Sequence, residues 1–320
     1  MKKIVFIDYK DNIHGHRFLK LLSEIVEVDY CPISNYNNEE LRKLQIIVDN
    51  SQQILIADYF RCSEKIEFKN CLKIVISWSF DIEDYLKNHT GINLKIDLLI
   101  VDSSKSKDLW LMSGAEINKI LQFPFGVDQK LFAGNWSGAN SNKIISLRNW
   151  EHVHNQRVLL EMLEQHSDEF NEFEFIFIGD GATLVELRNV YKQLEQNGLI
   201  SFLGVIDNRE LIKILPECRL AISTSKSDGT SVSVLEAMSA GTPILASDSS
   251  ANKEIIKDTK NGFLFENDSS IDLYEILKLI LNSTYDLEKI SENARIFARD
   301  YADWDKNGRN LIREMKIFLN

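Results

Sequence analysis

Along the whole chain, short apolar runs alternate with longer stretches in which apolar residues recur every three or four positions. That is the pattern of a parallel sheet covered by helices. In the first half the runs fall at 4–8, 26–30, 54–57, 73–77, 98–101 and 119–123, short and largely apolar, as strands buried on both sides are. Helices are expected over 18–25, 39–49 and 104–112, with Gly114 as a stop signal for the last. Residues 133–142, AGNWSGANSN, lack periodicity and read as an interdomain linker. The alternation then restarts, with strands at 144–147, 173–178, 200–203, 220–223, 243–246 and 262–265. The tail from 290 to 320 is helical in pattern and broken at 301–305, YADWD. The expectation is two doubly wound α/β halves, with 133–142 and the region of Tyr301 as a hinge.

Composition narrows the partners. A chain of 320 residues has room for two cores, and 44% hydrophobic with 27% charged residues is ordinary for a globular protein. With 37 basic against 48 acidic residues the net charge is -11, so the bulk surface repels nucleic acid and anionic lipid, and no nucleic acid partner is expected. An anionic ligand must be held by a local device. Cys31, Cys62, Cys71 and Cys218 form no CxxC pair and no metal-ligand spacing, which points to a reduced, cytoplasmic protein without a bound metal. The opening MKKIVFIDYKDN reads as a first strand and not as a signal peptide. No apolar run reaches the roughly 18 to 20 residues of a membrane span, so only peripheral membrane contact stays open.

Loops after the carboxyl ends of parallel strands are where ligands bind. After the first strand comes DNIHGHRF, in which Gly15, between His14 and His16, would let backbone N–H groups approach a phosphate; a plain turn is the other reading. Arg148 leaves the first strand of the second half in SLRNWEHVHNQR, placed either to grip two phosphate oxygens or to pair with an acid such as Glu151. Gly179 and Gly181 flank Asp180 without completing GxGxxG, which fits a mononucleotide-sized anion or a structural turn. Ile206, in GVIDNREL, offers its backbone to a flat base edge. The richest loop is STSKSDGTSVSVLEAMSAGTPILASD, residues 223–248. There Gly229, Thr230, Ser231, Val232 and Ser233 open a helix whose N–H groups and dipole suit a phosphate. Asp228 and Glu236 flank that cradle and would accept bonds from paired sugar hydroxyls; an N-cap Asp228 and a surface Glu236 are the alternative.

SDGTSVSVLEAMSAGTPILASD resembles the signature of retaining glycosyltransferases of family 4, in which two acidic residues are separated by seven positions, with Asp228 where the family usually has Glu. LQFPFGVDQKLF, FIFIGDGATLVELR, KIVISWSFDIED and NARIFARDYADWDKNGRNL are similar to further family segments, so the resemblance covers nearly the whole chain. It implies the GT-B fold: two Rossmann-like domains facing a cleft, 1–134 with a returning helix 304–320 as the acceptor side and 140–303 as the donor side. It also implies that Arg148 contacts the donor diphosphate, that amides at Gly15 and along Thr230 to Ser233 cradle phosphates, that Glu236 binds ribose hydroxyls and that Asp228 binds the transferred sugar. Trp78 takes the family's histidine position and Asp81 its aspartate, on the acceptor side with His14 and His16. Val153 stands where a lysine is usual, with His152, His154 and Lys226 as candidates to replace it.

The expected activity is metal-free hexosyl transfer from a nucleotide sugar, UDP-linked first, to a glycan, lipid-linked glycan or protein acceptor in surface polysaccharide assembly. The nucleotide sugar is a substrate and no cofactor is expected. With no evident double-displacement nucleophile, attack is expected on the face from which the leaving group departs. A catalytically silent GT-B subunit is the alternative. A nicotinamide-dependent oxidoreductase lacks its GxGxxG.

Overall fold

The computed structural model describes residues 3–10, 13–24, 26–57, 59–69, 71–77, 79–89, 95–282 and 284–319. Twelve strands form among the described residues. They are β1 Ile4–Tyr9, β2 Val28–Ile33, β3 Gln53–Ile56, β4 Leu72–Ser77, β5 Leu98–Val101, β6 Ile120–Gln122, β7 Lys143–Ser146, β8 Glu174–Ile178, β9 Ile200–Gly204, β10 Leu220–Ser223, β11 Ile244–Ser247 and β12 Phe263–Phe265. All are paired in parallel, in two six-stranded sheets of order β2-β1-β3-β4-β5-β6 and β12-β11-β10-β7-β8-β9. Each order reverses direction once, between β1 and β3 and between β7 and β10. The crevice outside the carboxyl ends at such a reversal is where doubly wound sheets hold ligands.

Contacts divide the chain into two compact units, Met1–Pro124 with Asp305–Asn320, and Phe125–Trp304. In the second unit neighbouring strand residues serve opposite faces, as the pleat requires. Ile144, Phe175, Phe177, Leu220 and Ile222 build one core with Leu160 and Leu277. Ile145, Ile176, Ala221 and Ala246 build the other, with Leu235, Ala237, Ala294 and Ala298. The small residues on this second face give helix Val232–Ser239 close access to the sheet. In the first unit Val5, Ile7, Ile54, Ile56, Val75 and Val101 form one core with Trp110.

Local chemistry sets the helix ends. Asn37 Oδ1 accepts from the amides of Glu39 and Glu40 to start helix Asn38–Asp49. Helix Ser104–Met112 starts at Ser103, whose hydroxyl accepts from Ser106 N, and the chain leaves it through Gly114 at φ +93°. Strand β2 begins later than its apolar run suggests and carries Pro32, which an edge strand tolerates.

The stretch 133–142 is a correction. It lies inside the second unit, and the chain passes between units at Pro124 and again at Trp304. Trp136 Nε1 donates to Cys218 O at 2.7 Å, and Ser137 N to Pro216 O at 2.9 Å. A Cβ on Gly138 would collide with the Cys218 carbonyl. The glycine serves close packing and not chain flexibility, two uses that look alike in composition. Near the other crossing, helix Leu287–Tyr301 stops, Val127 N donates to Ala302 O at 2.9 Å and Trp304 N to Val127 O at 3.1 Å. Helix Trp304–Leu319 follows and belongs from Asp305 onward to the first unit, where Gly308 fits against Leu21. Among the described residues no helix is long and apolar enough to cross a membrane.

Candidate functional site

The reversal between β7 and β10 brings together residues far apart in sequence. Arg148 lies two positions beyond the end of β7, and the loop after β10 carries Asp228. Arg148 Nη2 donates to Asp228 Oδ2 at 2.5 Å, across 80 positions of chain, and Nη1 donates to Ser233 Oγ at 2.9 Å. The arginine is only 8% exposed, and its Nε is buried with no hydrogen-bond partner among the described residues. A buried charged donor left unpaired is costly, which makes this group a strong attractor for an acceptor.

Asp228 also takes the Gly229 amide at 2.9 Å and the Ser231 hydroxyl at 3.1 Å. It is not a helix cap. Ser231 is the N-cap residue of helix Val232–Ser239; its side chain makes no cap bond there and instead donates its hydroxyl to Asp228. The partial positive charge of that helix start therefore lies beside the guanidinium without a capping side chain. Gly229, Thr230, Val232 and Ser233 are half-buried around it, and Glu236 is half-buried one turn further along.

The Arg148 loop is braced from behind. Gln156 Nε2 donates to the carbonyls of Arg148 at 2.9 Å and Asn149 at 2.5 Å. Trp150 N donates to Asp180 O at 3.0 Å, and the fully buried Trp150 ring packs on Phe177 and Phe202. Gly179, at φ +107°, would place a Cβ 2.8 Å from Arg148 O; Gly181, at φ +155°, would place one 2.6 Å from Trp150 O. These two glycines let one loop cross closely behind the other. Ile206 is half-buried against the small-residue core of the same sheet.

His154 completes the cluster. Its Nδ1 lies 2.9 Å from Arg148 Nη2 and 3.2 Å from Ser225 Oγ. Burial first, and the Arg148 charge second, push its pKa down to about 4, against an opposing pull from Asp228. Of the three candidates to stand in for the residue at Val153, His154 is the one that touches the arginine. Lys226 Nζ is bound to Asp268 at 2.8 Å, a carboxylate that also holds Asn155 Nδ2 at 2.9 Å, and His152 is exposed. Ser225 is a member that the sequence reading missed, and only the adjacency of β7 and β10 could have indicated it.

The remaining candidates lie in the first unit. Gly15 sits in the first turn of helix Ile13–Ser23 and is buried; a Cβ there would collide with the carboxylate of the fully buried Asp8. His16 is exposed, with Nε2 3.1 Å from Lys10 O and its ring 5.6 Å from that of Tyr30. Trp78 and the side chains of His14 and Asp81 lie outside the described residues.

The family model for glycosyl transferases group 1 matches residues 128–297, just over half of the chain. The chain belongs to this family. The matched span of this group 1 glycosyl transferase contains Arg148, His154, Asp228 and Glu236. Among curated proteins it is 29% identical over 79% of its length to an uncharacterized glycosyltransferase of Methanocaldococcus jannaschii, covering 65% of that protein. It is 28% identical over 65% of its length to the sulfoquinovosyl transferase of Arabidopsis thaliana, covering 42% of it. The chain thus spans less than two thirds of these relatives. Among solved structures, HepE of Anabaena in complex with UDP and glucose superposes with a TM-score of 0.75 at 15% identity, over 99% of this chain and 100% of that one. Sucrose-phosphate synthase of Thermosynechococcus elongatus gives 0.78 at 13% identity, over 100% and 99%. At these identities the likeness concerns the fold, which is GT-B.

Proposed function

We propose that the protein is a retaining glycosyltransferase that moves a sugar from a nucleoside diphosphate sugar, UDP-linked first, to a glycan, lipid-linked glycan or protein acceptor. The observation that carries this reading is Arg148: a buried guanidinium with an Nε unpartnered among the described residues, beside a helix start whose N-cap side chain makes no cap bond, at the reversal point of a doubly wound sheet. That combination suits a diphosphate, and it answers how an acidic chain holds an anion. The UDP in the HepE structure supports the choice of nucleotide.

During transfer the bond from the anomeric carbon to the diphosphate breaks, and its electron pair goes to the phosphate oxygen. Arg148 and the N–H groups of helix Val232–Ser239 oppose that charge, in the manner of a preorganised anion hole, so the charge chemistry needs no metal ion. The acceptor oxygen attacks the same face, and its proton passes to the departing phosphate oxygen. Phosphate binding would take Arg148 Nη2 from Asp228, freeing the carboxylate to accept from sugar hydroxyls. Glu236 would accept from the ribose. Gly179, Gly181 and Ile206 would shape the donor pocket from the second unit. Assembly of a surface polysaccharide, in the cytoplasm at the inner face of the membrane, is the setting that fits these substrates.

The test is a thermal-shift and hydrolysis screen of UDP-, GDP- and ADP-sugars, with and without EDTA. We expect stabilisation by a UDP-sugar, slow donor hydrolysis insensitive to EDTA, and loss of both with Glu236→Gln. Absence of binding by every nucleotide sugar would overturn the reading.

A further inference from the structure

Two groups compete for, or share, the same nitrogen of Arg148. Nη2 carries two hydrogens; Asp228 Oδ2 receives one at 2.5 Å, and His154 Nδ1 lies 2.9 Å away. Arginine N–H groups only donate, so Nδ1 must accept, and the ring proton lies on Nε2. Nδ1 has one lone pair, taken by the shorter Arg148 contact, and the Ser225 hydroxyl, 3.2 Å away, only shares it as a weaker donor. The imidazole that faces the guanidinium is neutral.

The two acceptors are held differently. The His154 backbone is pinned to the β10 side, with Thr224 Oγ1 donating to His154 O at 2.8 Å and Lys226 N to Val153 O at 2.8 Å. The next residue, Asn155, is fixed in the left-handed region at φ +52° and tied to Asp268. Asp228 sits in the loop ahead of helix Val232–Ser239 and holds Arg148 by charge. An incoming diphosphate is an anion and competes with the Asp228 carboxylate for the guanidinium, whereas a neutral ring does not compete.

We propose that His154 is the positioning residue of the diphosphate site: it keeps the Arg148 guanidinium oriented through its Nδ1 while an anionic ligand replaces Asp228 on Nη2. This rests on the reading of the site as a nucleoside diphosphate pocket. His154 acts through Arg148, so its effect must appear in ligands that carry phosphates and be absent in those that do not.

The experiment measures binding of UDP and of uridine by calorimetry to the full chain, in the wild type and in His154→Ala, His154→Asn and His154→Gln, with the melting temperature of each recorded. Asparagine places an amide oxygen near the position of Nδ1, and glutamine reaches past it. We expect His154→Ala to weaken UDP about tenfold and leave uridine unchanged, His154→Asn to restore UDP to within about threefold of wild type, and His154→Gln to resemble alanine. A folded His154→Ala protein that binds UDP like the wild type overturns the proposal. So does an asparagine variant that is no better than alanine at an equal melting temperature, or an equal loss for UDP and uridine. If the wild type binds none of UDP, GDP and ADP, the diphosphate reading itself fails.

Discussion

The second unit holds two clusters built from the same ingredients, a cation, a carboxylate and a histidine. One is Arg148, Asp228 and His154; the other is Lys278, Glu169 and His166. In the second cluster Lys278 Nζ lies 2.8 Å from Glu169 Oε2, and Tyr274 OH donates to the same carboxylate at 2.8 Å. His166 stacks on the Tyr274 ring at 3.7 Å with its Nδ1 3.3 Å from Glu169 Oε1. Lysine first, then tyrosine, hold the Glu169 carboxyl down to about 2. What separates the clusters is place and satisfaction. The turn Ser167–Glu169 precedes β8, at the amino end of the sheet, and Glu169 and Lys278 are 44% and 45% exposed. Arg148 and Asp228 are 8% and 19% exposed at the carboxyl end, with Nε left unpaired. Solvent already serves every charge in the exposed cluster, whereas in the buried one a ligand can gain from a group that no described residue serves.

The largest effect follows from removing the unserved donor. Arg148→Ala should lower kcat/KM for sugar transfer by about a thousandfold or more, as expected when a preorganised donor to developing charge is lost. Arg148→Lys keeps the charge but cannot span Ser233, His154 and a phosphate together, so it should recover only a small part. Steady-state kinetics on folded variants decides this. A loss of less than tenfold in the alanine variant would erase the distinction between the clusters.

Acid separates them next. The His154 pKa is lowered in the folded state, from an ordinary 6.5 to about 4, so the unfolded chain binds the extra proton between those values. Folding stability from this group is complete above pH 6.5 and is lost as the pH falls towards 4, by up to about 3 kcal/mol. Glu169 also has a lowered pKa, but its contribution survives until the pH falls below the ordinary carboxylate value of 4.5 and towards 2. Urea unfolding at pH 7 and pH 4.5 should therefore show a drop that His154→Asn removes and Glu169→Gln leaves in place. A pH-independent wild type would contradict the neutral, buried state of His154.

Much of this was legible in the sequence, for reasons that also mark the limit. Strands such as β5 and β10 are buried on both faces, so an unbroken apolar run specifies them, and 98–101 and 220–223 fall where the pattern places them. Strand β2 is half-exposed at an edge, and it starts two residues and ends three residues later than its apolar run suggests because its pattern is mixed. Arg148 and Asp228 were recognisable one at a time from the loops that carry them. Their ion pair was not, since it depends on β7 lying beside β10, a strand order that local patterns do not encode. His154 shows the same limit: along the chain it is one of two histidines in a polar loop, and only the fold sets its ring against the guanidinium while leaving His152 exposed. Gly138 shows the converse, where a composition typical of linkers hides a tight contact with Cys218.

The smallest effect belongs to the exposed cluster, and it is the control that gives the comparison its meaning. Lys278→Ala removes the cationic partner of Glu169, yet the carboxylate keeps the Tyr274 hydroxyl and gains water. Nothing buried is left without a partner, so the melting temperature should move by less than about 2 °C and sugar transfer should stay within about twofold of wild type. A loss in kcat/KM approaching that of Arg148→Ala would mean that the amino end of the sheet is coupled to the site. The argument from burial and unpaired donors would then no longer tell a functional charge cluster from a solvated one.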